Sequence, residues 1–336
     1  MTQTLVPEPA HASASEVSRA RVDARRRILT STAIWFSLLA LVIISALVSP
    51  VFLTTRNITV IFKQAAPLGI LAVGETIVLL TGGIDLSVAS VMATVGVFAA
   101  GFMNARNELV LPISLLCLLF ATLVGFLNGL LVTKLKIPPF ITTLGMILVV
   151  NGLRFMYTQG APKGRIPDGL RYWGRDNFLG GPIPSSVVVW LVVALIATFL
   201  LSRTTFGRRL YAVGGNPRTA FLSGVNVDAV KIAAYTVCSF LAGVAGLVLV
   251  GFIGYSDNWL GLGYELNAIA AVVIGGTAFE GGRGSQMGTI AGVLILTVLF
   301  DLVLLLQVPE EVRRIVKGLL ILIAVALYGR LRARSQ

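Results

Sequence analysis

The chain of 336 residues is 56% hydrophobic and 12% charged, with a mean hydropathy of +0.89, whereas a soluble domain carries about a quarter charged residues. That balance excludes an ordinary soluble domain and predicts an all-α, polytopic transmembrane bundle, each span needing about 20 apolar residues. The net charge of +12 does not predict nucleic-acid binding, because the arginines gather in tails and loops bordering apolar runs and no separate soluble domain carries a binding face.

Residues 1–27 are polar, rich in Ala and Ser, and end in Arg25-Arg26-Arg27. They predict a disordered basic cytoplasmic tail over about 1–30. The uncharged run 28–55 is too long for a signal peptide and lacks a cleavage signal, so it reads as an uncleaved first span. The second run, 57–80, carries Lys63, Gln64, Pro67 and Glu75; such a span belongs among other helices or beside a polar route, because lone polar groups are costly in lipid. It breaks at Thr81-Gly82-Gly83, and 86–105 and 109–133 follow. Within the latter, Gly125 and Gly129 have helix-packing spacing. Lys134 and Lys136 flank a turn ending in Pro138-Pro139, and a fifth span covers 140–158.

Residues 159–184 form the longest polar connection, rich in Gly and Pro. Spans at 185–202 and 230–253 enclose a basic segment. A polar, glycine-rich stretch at 255–265 precedes a short eighth run at 266–277, then 286–306 and 314–329. The prediction is therefore about ten spans with broken or re-entrant segments, a transmembrane domain over 31–330 and a C-tail over 331–336. Placing the N-tail, 203–228 and the C-tail together in the cytoplasm puts the larger share of the 27 basic residues inside, the sense of the positive-inside bias.

Few groups could carry chemistry. His11 is the only histidine, and Cys117 and Cys238 lie in apolar runs without metal or disulfide spacing. No G-x-x-x-x-G-K-[ST] loop occurs. Neither an enzyme, a metal site nor a cofactor is predicted. The candidates for a translocation route are Glu75, Gly82, Gly83, Asp85, Asn128 and Asn267. Asp85 has a structural reading as well, as acceptor for the first N–H groups of the following helix. The isolated Glu75, Asn128 and Asn267 suit interhelical hydrogen bonds.

The stretch 203–228 holds Arg203, Arg208, Arg209 and Arg218, with no acid before Asp228. Asn216 suits an N-cap, Pro217 the first helical position and Gly224 the stop. A helix over 217–223, about two turns or roughly 10 Å long, is predicted between two spans.

The segment GGNPRTAFLSGVNVD resembles the cytoplasmic coupling loop of the ribose, xylose and galactose type of sugar-uptake ABC permeases. TGGIDLSVAS (81–90), NGLLVTKLKIPPFITTLG (128–145) and GYELNAIAAVVIGGTAFEGGRGS (263–285) resemble the same family, in its order. The resemblance implies a permease subunit in the bacterial inner membrane, forming the route for a monosaccharide. Its implied partners are a cytoplasmic ATPase, a periplasmic or lipid-anchored sugar-binding protein, a second permease copy and the surrounding membrane lipid. It also implies an ATPase-coupling loop containing Gly207, Arg208, Gly214 and Gly215, followed by Asn216, Pro217, Arg218, Phe221, Ser223 and Gly224. The alternative is an ion-coupled secondary transporter or channel acting alone, for which Glu75, Asp85 and Asp301 are the available carboxylates.

Overall fold

The computed structural model describes residues 33–319 apart from 310, 314 and 317. The two predicted tails and most of the tenth predicted span lie outside these residues. The described chain is helical; an isolated bridge between Asn177 and Pro184 is its one β-type pairing.

In chain order the helices are α1 (Ala33–Val48), α2 (Thr55–Leu80), α3 (Val88–Met103), α4 (Val110–Thr133) and α5 (Pro139–Thr158). Then come the short α6 (Asp168–Gly174), α7 (Ser185–Arg203), α8 (Thr205–Gly215) and α9 (Pro217–Leu222). The bundle is completed by α10 (Val227–Ile253), α11 (Tyr264–Ile274) and α12 (Gln286–Leu305), and the described residues from 311 onward are again helical. Six of these helices are long and apolar enough to cross a membrane: α2, α4 with the 3₁₀ turn before it, α5, α7, α10 and α12. The helices α1, α3 and α11 are apolar but shorter.

Burial sorts the helices by role. The most apolar window of α2 is 89% buried, against 22% for α4 and for α5. Thus α2 is enclosed by protein, and the outer helices expose rows of Leu, Ile and Phe, as expected where the surrounding solvent is hydrocarbon. The second organising helix is α10, which packs against α2, α3, α4 and α6. Its contact with α4 is close because Gly125 faces the Tyr235 carbonyl and Ser239, while Gly129 faces Ile232, the use of small residues predicted for this pair. Both cysteines are buried and free.

Two ends of the bundle can be told apart. At one, Lys134 Nζ lies 2.7 Å from Asp228 Oδ2, joining the end of α4 to the start of α10. This exposed pair fixes geometry more than it adds stability. At the other, α6 lies across the end of α10: Gly174 packs on the backbone of Gly251 and Phe252, and Arg171 Nη2 donates to the Gly254 carbonyl at 3.3 Å.

Candidate functional site

The predicted break between α2 and α3 is present. Residues 81–87 leave the helix, Gly82 has φ +75°, and α3 starts at Val88. Asp85 is fully buried there. Its Oδ1 accepts from the Ser87 N–H at 2.9 Å and from Ser87 Oγ at 2.6 Å. It therefore closes the turn just before the helix, and Ser87, not Asp85, is the N-cap residue. The intervening tight turn places the carboxylate one residue short of the first helical N–H.

Asp85 is the hub of a buried polar cluster. Asn128 Nδ2 of α4 donates to Ser87 Oγ at 2.9 Å and to Asp85 Oδ1 at 3.4 Å. Ser239 Oγ of α10 donates to Asp85 Oδ2 at 3.4 Å. Glu75 Oε1 of α2 accepts from the Asp85 N–H at 3.2 Å. Tyr235 OH donates to the Ile84 carbonyl at 3.3 Å, and a Cβ on Gly83 would meet that hydroxyl at 2.5 Å. Of the six route candidates, Glu75, Gly83, Asp85 and Asn128 thus converge on one point inside the bundle. All four are buried. Gly82 is exposed beside them, and Asn267 is half-buried on α11 without a hydrogen bond to the cluster. The cluster fixes the α2–α3 break to α4 and α10.

Next to the break, three backbone segments meet with almost no side chain between them. A Cβ on Gly214, at the end of α8, would overlap the Leu80 carbonyl oxygen and the Gly282 nitrogen. A Cβ on Gly281 would lie 2.6 Å from the Gly82 nitrogen, and one on Gly282 would lie 2.7 Å from the Gly215 nitrogen. The Gly282 N–H donates to the Leu80 carbonyl at 3.0 Å, and Tyr211 OH of α8 donates to the Gly284 carbonyl at 2.9 Å. The break after α2, the end of α8 and the α11–α12 loop therefore form one glycine-lined junction.

Helix α8 lies in a stretch for which the sequence predicts a loop. It forms because Leu210 and Val213 are fully buried, three residues apart on one face, and because the Thr204 side chain accepts from the Gly207 N–H at 3.3 Å. Buried Gly207 lets the helix turn tightly against the carbonyls of Leu200 and Leu201, while Arg208 and Arg209 stay exposed.

Helix α9 follows its predicted signals closely. The Asn216 side chain accepts from Arg218 N–H and Thr219 N–H, both at 3.0 Å, and Pro217 occupies the first position. At the other end Gly224 has φ +81°. Its N–H donates to Phe221 O at 2.9 Å and that of Val225 to Ala220 O at 3.0 Å, the paired bonds of a Schellman stop. The helix ends at Leu222, with Ser223 as cap, one residue earlier than predicted. Ala220 is buried against the bundle, whereas Phe221 and Leu222 are 68% and 77% exposed. Two large apolar side chains beside exposed Arg218 project from a rigidly capped turn.

The profile of the family described as branched-chain amino acid transport system / permease component matches residues 57–325. This chain belongs to that permease family. The permease is 43% identical to the ribose import permease protein RbsC of Bacillus subtilis over 295 residues, 87% of this chain and 91% of the relative. It is 40% identical to the protein of the same name from Escherichia coli K12, over 86% and 91% of the two chains. It is 36% identical to the autoinducer 2 import system permease protein LsrC of Salmonella paratyphi B, over 85% and 82%. No solved structure matches it. The family and the six apolar helices make the permease a multi-pass protein of the bacterial inner membrane. The cluster, the junction and α9 all lie within the matched range.

Proposed function

We propose that this permease forms the membrane route of an ATP-binding-cassette importer for a monosaccharide, working with a cytoplasmic ATPase, a periplasmic or lipid-anchored sugar-binding protein and a second permease copy. Relatives named as ribose import permeases over most of their length support the substrate class. The observation that carries the coupling role is α9: an independently capped helix presenting Phe221 and Leu222 outward. Aromatic and Arg residues are the usual anchors of an interface, and Phe221 and Arg218 would be those anchors in a cleft of the ATPase. Docking there would put α9 on the cytoplasmic side, and with an even number of crossings on each side of it both termini would be cytoplasmic as well. The six long helices, with α1, α3, α11 and the segment after 311, would then make about ten crossings. Closure of the ATPase pair would push α9, and the glycine junction behind α8 would pass that displacement to the α2–α3 break and the α11–α12 loop.

Removal of the Phe221 ring tests the docking. Phe221→Ala is expected to cost about 2 kcal/mol at a well-packed contact, weakening assembly roughly thirtyfold. Gly224→Val forces a β-branched residue into a left-handed conformation and should weaken coupling by misplacing the same ring. Co-purification with the ATPase and transport-linked ATP hydrolysis measure both effects. Full assembly and full coupling in both variants would reduce α9 to a connection.

A further inference from the structure

Away from the buried cluster, a cleft of about 90 Å³ opens between α3, α5 and the loop joining α10 to α11. The loop dips back into the bundle: Leu260 is buried against Gly96 of α3, and Asn258, 3% exposed, donates through Nδ2 to Thr158 Oγ1 at 3.2 Å and to the Gly160 carbonyl at 3.1 Å. From the α5 side comes Arg154, only 4% exposed inside an apolar span. It makes no ion pair with any described carboxylate. Its Nη1 reaches the Ser90 carbonyl at 3.3 Å and Thr94 Oγ1 at 3.4 Å, and its Nε is buried without a partner. The Oδ1 atoms of Asn258 and of Asn151, which also line the cleft, are likewise buried without a partner.

Three buried polar atoms without a partner belong to side chains that line one cleft, and each costs about 1–3 kcal/mol if nothing meets it. These side chains bring donor and acceptor groups to the cleft, and Glu265 adds a carboxylate to its lining. Aromatic surface stands beside them. Trp259 is 66% exposed and packs edge-on against Phe155, ring centres 5.9 Å apart; Phe155 in turn lies 5.7 Å from the Arg154 guanidinium carbon. A small ligand with alternating donors and acceptors and an apolar C–H face would match the polar side chains and the aromatic surface that line the cleft. The formal charge of Arg154 is offset by Glu265 in the lining and by Asp257, the neighbour of Asn258 whose charge acts on Arg154, which disfavours an anion and suits a neutral ligand.

We propose that this cleft is the station at which the permease holds its substrate during transfer, and that its ligand is a neutral, cyclic, polyhydroxylated molecule; the substrate class rests on the monosaccharide reading above. Arg154, Asn151 and Asn258 take ring hydroxyls, and Trp259 covers a face of the ring. The site is separate from the Glu75–Asp85–Asn128 cluster, whose members do not line it.

The test uses the full permease reconstituted in proteoliposomes with its ATPase and binding protein. Sugar uptake and ATP hydrolysis are both recorded, across a panel of pentoses and hexoses. Arg154→Gln and Trp259→Ala should each lower sugar imported per ATP about tenfold, the equivalent of one charged or stacked contact. ATP hydrolysis stimulated by the loaded binding protein should persist, and Trp259→Phe should restore most of the import. Trp259 is exposed, so its variants remain informative if Arg154→Gln fails to assemble. Parental import per ATP in Trp259→Ala would overturn the site. Absence of import by the parent for every sugar tested, with hydrolysis intact, would instead overturn the monosaccharide reading and the ligand class with it.

Discussion

Gly214→Ala is expected to lower ATP-dependent uptake at least about tenfold, because overpacking a closed backbone contact costs about 1–3 kcal/mol or more. The new methyl would fall on the Leu80 carbonyl oxygen and the Gly282 nitrogen. Neither is the end of a flexible side chain, so α8 itself must lift. That movement separates α9 from the α2–α3 break and from the α11–α12 loop, the two segments it is proposed to drive. Gly145→Ala on α5 is the matched control, since nothing lies within 4 Å of its Cβ, and it should transport like the parent. Equal uptake by the two variants, at equal amounts in the membrane, would show that the junction tolerates slack and transmits nothing.

Asp85→Ala should produce the second large effect, this time on stability. It strips the acceptor from Ser87 N–H and Ser87 Oγ and removes the longer bonds from Asn128 and Ser239. Leaving these buried donors unmet costs on the order of 3 kcal/mol. The thermal midpoint of the purified permease should fall clearly, and Asp85→Asn, which keeps one acceptor oxygen in place, should fall less. A parental midpoint in Asp85→Ala would mean that water or a local shift replaces the carboxylate.

What could be read from the sequence followed from local chemistry. Asn216, Pro217 and Gly224 specify α9 locally, and the capping bonds all lie within residues 216–225. The break at 81–87 was legible because Gly-Gly and Asp interrupt an apolar run, and Gly125 and Gly129 announced a close helix contact by spacing alone. Other features depend on what arrives from elsewhere in the chain. Three glycines argue against a helix at 205–215; α8 forms because Leu210 and Val213 reach the core and Gly214 fits against Leu80 and Gly282. Helix α6 was hidden in a long polar connection for the same reason: Gly174 is shaped by the end of α10. That Glu75, Asp85 and Asn128 meet could not be seen from three isolated positions on separate segments. Arg154 carries a signal of its own, a lone arginine deep in an apolar span, but a span over 140–158 does not say what that arginine meets. The partners that make it part of a cleft, Asn258 and Trp259, lie about a hundred residues away on the loop before α11.

The most direct test of the account is the energy source for uptake. Proteoliposomes containing the permease, its ATPase and its binding protein should import monosaccharide when ATP is supplied on the α9 side and all ion gradients are collapsed. Import should cease when ATP is withheld or when the ATPase is left out. Uptake by the permease alone, driven by an imposed proton or sodium gradient without ATP, would contradict the account and assign the chain to ion-coupled transport.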